Sequence, residues 1–414
     1  MKQKTFLAIV MVFFMGIGAA HAQKLARGIV ANVGDTWQTV TLPQSYTNMV
    51  VVCTARYTSL TTTRALVRVR NAAGNSFQLR MQHPTTYTTT LPLSGYPVYY
   101  MVVEAGQYTQ AANGVKMEAV RYLSTQTAFK GTWGLMDTPT YLNTYTAPVV
   151  VGQVMTFNDP NWSQFTEYGA ATGTPPTPTV LRTGKHVGED PLTTRANEDI
   201  GYIVIEAGSG TIGTAKYVAA VGADAISGIG TAGAPFTYAL TGLASAEVAI
   251  CTQAADGGAD GGWVVLIGTN SLRVDGMDLA IAEDQMLDTE SAHSAEPVAY
   301  IVFEKEVAAV APAAPTGLAG QSFKGNTVLL NWVDNANNED GFKIERKTGA
   351  GTFAEIVQVP ANTTSYTDTP VTAGTTYSYR VRAFNAAGNS AYSNEISVTV
   401  VQVLDVRHWQ FYQK

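Results

Sequence analysis

The sequence predicts an all-β protein, with three tandem antiparallel β-sandwich repeats in a pseudo-threefold arrangement and a further β-sandwich at the C-terminal end. Three observations predict this fold class. One strand pattern recurs three times at nearly even spacing, which indicates an internal repeat. Turn residues separate short apolar or alternating segments about every 8 to 12 positions, as in sandwiches. The repeats also lack the apolar i, i+3, i+4, i+7 stripe of an amphipathic helix.

The recurring pattern is an octet whose clearest copy reads Gly-Tyr-Ile-Val-Ile-Glu-Ala-Gly. Complete or partial copies occupy residues 99–106, 201–208 and 299–304. The glutamates of the octets are separated by 102 and then 98 residues, at Glu104, Glu206 and Glu304. A second marker, the end of an apolar strand, recurs at intervals of 99 residues, at Cys53, Gly152 and Cys251. Two markers in step predict one β unit used three times.

Each element of repeat one follows from alternation or from turn chemistry. Its strands are predicted over 29–33, 37–42, 49–53, 64–70 and 77–81, with a hairpin turn over 71–76. The octet forms the last strand of the repeat. The octet glutamate lies on the strand face that carries both polar and apolar residues. It either belongs to a ligand site or is held by backbone amides of the Ala-Gly turn that follows it.

The predicted boundaries follow from these repeats and from shifts in composition. They are a signal peptide over 1–22, repeats over 23–113, 114–213 and 214–306, a linker over 307–315, a sandwich over 316–400 and a tail over 401–414. The leader has a basic start, an apolar core and an Ala-His-Ala cleavage site, so the protein is expected to be secreted or at the cell surface. No later apolar run is long enough for a transmembrane helix. The tail fits neither the repeats nor the C-terminal sandwich.

The charge balance bears on the partners. The formal net charge is −6, and it becomes −8 when Lys2 and Lys4 of the leader are removed. This argues against nucleic acid and anionic membranes. Cys53 and Cys251 occupy the same slot in repeats one and three, so they either form a disulfide across a common axis or remain buried free thiols.

Repeat one resembles the H-type lectin domain. The similarity is carried by Met49-Val50-Val51-Val52, by 64–68, by Phe77 thirteen residues after Arg64, and by the octet from Val98 to Glu104. The resemblance implies a six-stranded antiparallel sandwich that works as a trimer and holds N-acetylgalactosamine-type sugars at subunit edges. It also implies that Arg64 binds sugar. The family's Trp-His pair is replaced here by His83-Pro84, so one aromatic residue is missing.

The residues themselves predict the same site independently. Sugar binding uses donors such as arginine together with an aromatic plane. The predicted sugar-binding residues near the Thr-rich loop 58–63 are Arg64, His83, Tyr87 and Tyr96. The alternative is a solvated arginine at a strand end and an ordinary loop histidine. In repeats two and three, Trp162 and Trp263 stand near the Arg64 position and are predicted to line the corresponding pockets.

Acidic residues cluster in the later repeats. They predict a Ca²⁺ site formed from Glu189, Asp190, Glu198, Glu283, Asp284 and Glu296. The alternative is that these carboxylates pair with neighbouring cations such as Arg182, Lys185 and Arg195. No EF-hand spacing is present, and no other cofactor is expected.

The C-terminal segment resembles a fibronectin type III domain, an immunoglobulin-like sandwich. The motifs are Val328-Leu329-Leu330-Asn331-Trp332, 339–346 and 376–383. The resemblance implies that Trp332 is the core tryptophan and that Tyr377 forms the tyrosine corner. The polar run 335–340 is expected to be a turn rather than a metal loop.

No catalytic residue is predicted. The sequence contains no nucleophile elbow, zinc-protease motif or phosphate loop. Gly208-Ser209-Gly210-Thr211-Ile212-Gly213 fits the dinucleotide pattern, but a strand follows it where a helix is required. The predicted function is therefore secreted, non-catalytic carbohydrate binding or adhesion, with glycans as partners. The alternatives are a self-assembling fibre, sheath or matrix subunit and a polysaccharide hydrolase.

Overall fold

A computed structural model describes residues 24–84, 92–134, 136–258, 260–287, 291–306, 310–323 and 326–402. The predicted signal peptide and most of the tail lie outside these residues. The chain divides into two compact units, residues 1–305 and 306–414. Within the described ranges the only helix is the four-residue α1 (Gln110–Asn113), so the predicted all-β class is confirmed. No helix in those ranges is long and apolar enough to cross a membrane.

The described residues of the first unit form twenty strands. Those before α1 are β1 (Leu25–Val33), β2 (Gln38–Tyr46), β3 (Met49–Tyr57), β4 (Leu66–Gln82), β5 (Tyr96–Glu104) and β6 (Gly106–Tyr108). The next group is β7 (Met117–Ser124), β8 (Thr127–Ala128), β9 (Pro148–Val154), β10 (Gln164–Tyr168), β11 (Arg182–His186) and β12 (Glu198–Glu206). The last group is β13 (Gly208–Ile212), β14 (Ala215–Val221), β15 (Phe236–Ala239), β16 (Val248–Gln253), β17 (Trp263–Ile267), β18 (Leu272–Arg273), β19 (Gly276–Ala282) and β20 (Val298–Phe303).

The octet strand has the same place in all three repeats. It is the middle strand of an antiparallel sheet in which its two neighbours are equivalent: β1-β5-β3, β7-β12-β9 and β14-β20-β16. Val- and Ile-rich sequences suit strands that are buried on both faces. The second sheet is β2-β4 in repeat one and β10-β11-β8 in repeat two. In repeat three, β17-β19-β15, with β18 on β19, continues the sheet β1-β5-β3, because β17 pairs in parallel with β3.

The hairpin predicted in repeat one lies within β4. Asn71 and Gly74, near the middle of this strand, have positive φ angles of 53° and 62°. The side chain of Arg68 donates to that of Gln82 at 2.9 Å, and that of Arg70 donates to that of Gln78 at 2.8 Å. These contacts bring the two arms of β4 side by side.

The strands β3, β9 and β16 meet at the centre of the first unit, where each contacts the other two. Thr54, Gln153 and Thr252 occupy equivalent positions on these strands, and the side chain of each forms a hydrogen bond to another repeat. Thr54 Oγ1 accepts from Cys251 N at 2.8 Å, Thr252 Oγ1 accepts from Gly152 N at 3.2 Å, and Gln153 Nε2 donates to Val67 O at 3.1 Å. Each bond joins two different repeats, so the three copies surround a common axis.

The octet glutamates accept hydrogen bonds from the turn before the central strand of each repeat. Glu104 accepts from the amides of Thr47 and Asn48 at 2.9 and 2.5 Å. Glu206 accepts from Thr146 and Ala147, and Glu304 accepts from Ala244. The amides belong to the turn before the central strand rather than to the following Ala-Gly turn, which corrects the predicted donor. A lysine accompanies each glutamate, at Lys24, Lys116 and Lys216.

The second unit is a sandwich of two sheets. Its strands are β21 (Thr316–Phe323), β22 (Thr327–Val333), β23 (Gly341–Thr348), β24 (Ala354–Pro360), β25 (Ser365–Asp368), β26 (Thr376–Asn385), β27 (Gly388–Asn389) and β28 (Ile396–Thr399). One sheet has the order β21-β22-β25, and the other has β24-β23-β26-β27 with β28 on β26. Trp332 packs against Phe342 in the core, and Tyr377 accepts at its hydroxyl from Thr372 N at 3.2 Å. The run 335–340 forms a turn, in which Asn335 donates to Ala314 O.

Candidate functional site

Repeat one carries a polar groove beside its Thr-rich loop. The groove encloses a cavity of about 300 Å³, between loop 58–63 and residues 92–96. The loop is braced internally, because Ser59 N donates to Thr62 Oγ1 at 3.1 Å and Thr62 N donates to Ser59 O at 3.2 Å. The lining residues are Arg56, Thr58, Ser59, Thr61, Thr62, Thr63, Pro92, Leu93, Ser94, Gly95 and Tyr96. Hydroxyl groups therefore dominate its surface.

Of the described residues that line this groove, Arg56 is the one with a charged side chain. It lies near the end of β3, which pairs in parallel with β17 of repeat three at Arg56 and Leu266. Its Nη1 donates to Thr269 O at 3.3 Å, and its Nε is buried without an acceptor among the described residues. Sequence reasoning missed Arg56. The available signal was a single arginine at the end of an otherwise uncharged strand.

Arg64 and Tyr96, both predicted to bind sugar, brace the wall of the groove. Arg64 Nη1 donates back to Leu60 O and Thr62 O, at 3.3 and 3.2 Å. The Tyr96 hydroxyl donates to Thr63 O at 2.7 Å, and burial raises its pKa. The groove contains Tyr96 but not Arg64. Their polar atoms position the loop, and Tyr96 is a buried residue of the groove wall.

The other predicted sugar-binding residues are not brought to the groove. His83 is half-buried just after β4 and is not among the lining residues. Tyr87 lies outside the described residues. In the part of the chain that the structure describes, the site thus consists of the Thr-rich loop, Arg56 and Tyr96.

Trp162 and Trp263 were predicted to line pockets, and this is wrong. They are 1% and 3% exposed, and their rings meet edge to face at 6.1 Å where repeats two and three join. Trp162 Nε1 points to the sulfur of Met286, and Trp263 Nε1 donates to the Tyr57 hydroxyl of repeat one at 3.2 Å. Buried indoles with satisfied N–H groups fill the junction between repeats.

The carboxylates predicted to hold Ca²⁺ do not converge on a common point. In the described ranges, no group of three or more His, Cys, Asp or Glu side chains has metal-binding geometry. Each carboxylate has its own partner instead, because a buried charge needs compensation where it stands. The pairs are Glu198 with Arg68, Asp190 with Arg195, Glu189 with Lys130, Asp284 with the Glu189 and Met286 amides, and Glu283 and Glu296 with His293.

The position four residues before the octet tyrosine has the same structural role in every repeat. Glu198 accepts from Asn158 N and Asp159 N, at 3.0 and 3.1 Å, and Glu296 accepts from Gly257 N and Gly258 N, at 2.8 and 2.7 Å. Like Tyr96, each stands four residues before the octet tyrosine and ties down the loop after the central strand. The two glutamates are therefore structural residues.

The two buried histidines of the first unit have opposite charge states. Burial lowers the pKa of His186 to about 4, and its Nε2 faces Gly262 O at 3.1 Å while its Nδ1 accepts from Gly188 N. Burial also opposes the charged form of His293, but its hydrogen bonds to Glu283 and Glu296, at 2.7 and 2.9 Å, outweigh that effect. They raise its pKa to about 9.

Cys53 and Cys251 are free thiols in the structure. Both are buried, and burial raises the pKa of each. The alternative of a buried free thiol thus describes both positions.

Comparison with known proteins concerns the C-terminal part of the chain. Residues 313–399 match the fibronectin type III domain. A 91-residue stretch is 42% identical to Exoglucanase B of Cellulomonas fimi, covering 22% of this chain and 8% of that enzyme. An Fn3-like protein from Clostridium thermocellum is 31% identical, with 23% of this chain and 99% of that chain covered and a TM-score of 0.20. An FN3 domain of human collagen XX is 22% identical, covering 23% of this chain and all of its own, also with a TM-score of 0.20. The chain thus spans a small part of the curated relative that it matches.

Proposed function

We propose that this protein, whose residues 313–399 match the fibronectin type III domain, is a non-catalytic carbohydrate-binding protein that acts outside the cell. The fibronectin type III unit serves as a spacer or display module, and repeat one binds the sugar. The identity shared with a segment of an exoglucanase supports polysaccharide as the partner. The likeness of repeat one to the H-type lectin domain supports the same assignment.

The groove beside the Thr-rich loop is the observation that carries the proposal. Its volume of about 300 Å³ is near the lower end of the range for small-molecule sites, and it suits one or two sugar rings. Its hydroxyls both donate and accept, as a neutral sugar requires, while Arg56 supplies further donors. Among the described residues that line the groove there is no carboxylate, whereas glycoside hydrolysis needs a pair of them.

A glycan array probed with the mature chain tests the proposal. We expect the wild type to bind neutral oligosaccharides. Arg56→Gln, which removes charge-assisted hydrogen bonds, weakens binding by at least about tenfold. Thr61→Trp, which places a large ring at an exposed position on the rim, abolishes binding.

Thr140→Trp is the matched control, because Thr140 is equally exposed and lines a separate groove in repeat two. We expect it to bind as the wild type does. A wild type that binds no glycan, and instead assembles with increasing concentration, would favour the structural alternative. Release of sugar from a polysaccharide would favour the hydrolase.

A further inference from the structure

Two arginines and two aromatic rings form a half-buried group on the first unit, here called the Trp37 cluster: Trp37, Arg70, Arg80 and Phe157. The guanidinium carbons of Arg70 and Arg80 lie 4.1 and 4.9 Å from the centre of the Trp37 ring. Arg80 is also 4.7 Å from the Phe157 ring, which meets Trp37 edge to face at 5.1 Å. Phe157 comes from repeat two, so the cluster lies where repeats one and two join.

Neither guanidinium of the cluster is neutralised. Within the described ranges, no carboxylate lies within ion-pair distance of Arg70 or Arg80. Arg70 donates through Nε to Gln78, which leaves its terminal nitrogens uncommitted, and Arg80 Nε is buried without an acceptor. Burial lowers the pKa of Arg80, and the charge of Arg70 lowers it further, while Asp35 opposes this. Two like charges therefore share a half-buried site.

The neighbouring Arg68 provides a contrast inside the same protein. It is fully buried, and it is compensated by Glu198 at 3.4 Å, by Asn161 O at 2.7 Å and by Gln82. The chain has more acidic than basic residues, so carboxylates are abundant. Arg70 and Arg80 nevertheless have no carboxylate partner in the part of the chain that the structure describes, and they remain available for a ligand.

Guanidinium groups that stack on aromatic rings are held in place, with their N–H donors available at the edge of the plane. That geometry suits the bidentate binding of carboxylates and similar oxyanions. We propose that the Trp37 cluster binds an anionic oxygen group, a carboxylate or a sulfate ester, on an acidic polysaccharide. The choice of a glycan as carrier rests on the proposed function. The site is separate from the neutral groove and shares none of its lining residues.

The experiment uses the mature chain and isothermal titration with three probes: an oligogalacturonate, a sulfated dextran oligomer and a neutral cello-oligosaccharide. We expect one or both anionic probes to bind, and the affinity to fall as NaCl rises from 50 to 300 mM, because salt screens half-exposed charges. The double variant Arg70→Gln/Arg80→Gln loses at least about tenfold in this affinity, since each lost charged contact contributes on the order of one decade. The carboxylate and sulfate arms identify the source of the anion.

Arg182→Gln is the matched control. Arg182 is also half-buried, lies 5.9 Å from the Tyr168 ring and has a buried Nε without an acceptor, but it stands without a second arginine over that ring. We expect it to bind the anionic probes as the wild type does. Thermal melts of all variants verify that they fold.

Two results would overturn the inference: no binding of either anionic probe, or binding that the double variant retains in full. The proposal for the groove and the proposal for the Trp37 cluster can be contradicted independently. Thr61→Trp should abolish binding of neutral sugar and leave the anionic probes bound. A wild type that binds only anionic probes would remove the groove assignment and keep the cluster.

Discussion

Two histidines, His186 and His293, show how the same residue type serves opposite purposes in this fold. His186 is buried against backbone groups and stays neutral, whereas His293 is charged between Glu283 and Glu296. Their effects on stability therefore have opposite signs. A raised pKa stabilises the fold below the unfolded value of about 6.5, and a lowered pKa stabilises it above that value.

His293 predicts an alkaline loss of stability. Its pKa of about 9 in the folded state means that its contribution is fully present below about pH 6.5 and is lost as the pH rises through 9. The shift corresponds to about 3 kcal/mol. Chemical unfolding between pH 6.5 and 9.5 should show this decline in the wild type and a flatter profile in His293→Gln.

His186→Gln serves as the comparison for that experiment. The pKa of about 4 for His186 predicts that its contribution disappears as the pH falls from about 6.5 through 4. His186→Gln should therefore keep the alkaline decline and alter only the acid side. A wild type whose unfolding free energy is level from pH 6.5 to 9.5 contradicts the charge assigned to His293.

Sequence reasoning identified residue types more reliably than their surroundings. Trp162 and Trp263 were expected at sugar pockets because aromatic residues serve both in binding and in packing. Which role applies depends on what the neighbouring repeat places against them, and that is not encoded locally. Arg56 and Trp37 were missed as site residues for the same reason.

At the scale of elements, hydrogen bonds of the Thr54, Gln153 and Thr252 side chains, on β3, β9 and β16, join the repeats to one another. Thr54→Val should leave the buried amide of Cys251 without its side-chain acceptor. We expect a loss of about 1–3 kcal/mol in the free energy of unfolding. Thr54→Ser keeps the hydroxyl and should recover most of it. Equal losses in both variants would mean that the methyl group, rather than the hydrogen bond, is responsible.

The octet glutamates make a second prediction for single elements. Glu104→Ala removes the acceptor for the amides of Thr47 and Asn48, so we expect it to destabilise the first unit by about 2 kcal/mol in urea unfolding. Glu247→Ala is the control, because Glu247 only faces Arg27 at 3.5 Å in a more exposed pair. Its loss should stay below about 1 kcal/mol. If the Glu104 variant is as stable as this control, then the hydrogen bonds between Glu104 and the turn do not stabilise the first unit as predicted.

The elements were predictable where the pattern was local. Alternation and apolar runs identified the octet strand and its neighbours, because side chains on strands alternate between two faces. The partner of the octet glutamate was placed at the wrong turn, since the amides that it binds come from a segment nearly 60 residues away in sequence. Non-local contacts of that kind leave no periodic trace.

At the scale of the molecule, the even spacing of about 99 residues predicted three copies around an axis, and the crossing hydrogen bonds show that arrangement. What the spacing could not reveal was which surface of the assembly binds a ligand. The three copies share one framework, but only repeat one has the Thr-rich loop, and only its junction with repeat two has the Trp37 cluster.

The central structural claim is that the three repeats form one cooperative body. Urea unfolding of residues 24–305 tests this claim directly. Trp162 and Trp263 meet across a junction between repeats. In a Trp37→Phe/Trp133→Phe background, tryptophan fluorescence reports their contact, while circular dichroism reports the strands. We predict coincident transitions with a single midpoint. Loss of the fluorescence signal at lower urea, with the strand signal retained, would show that the repeats fold separately and would contradict the account.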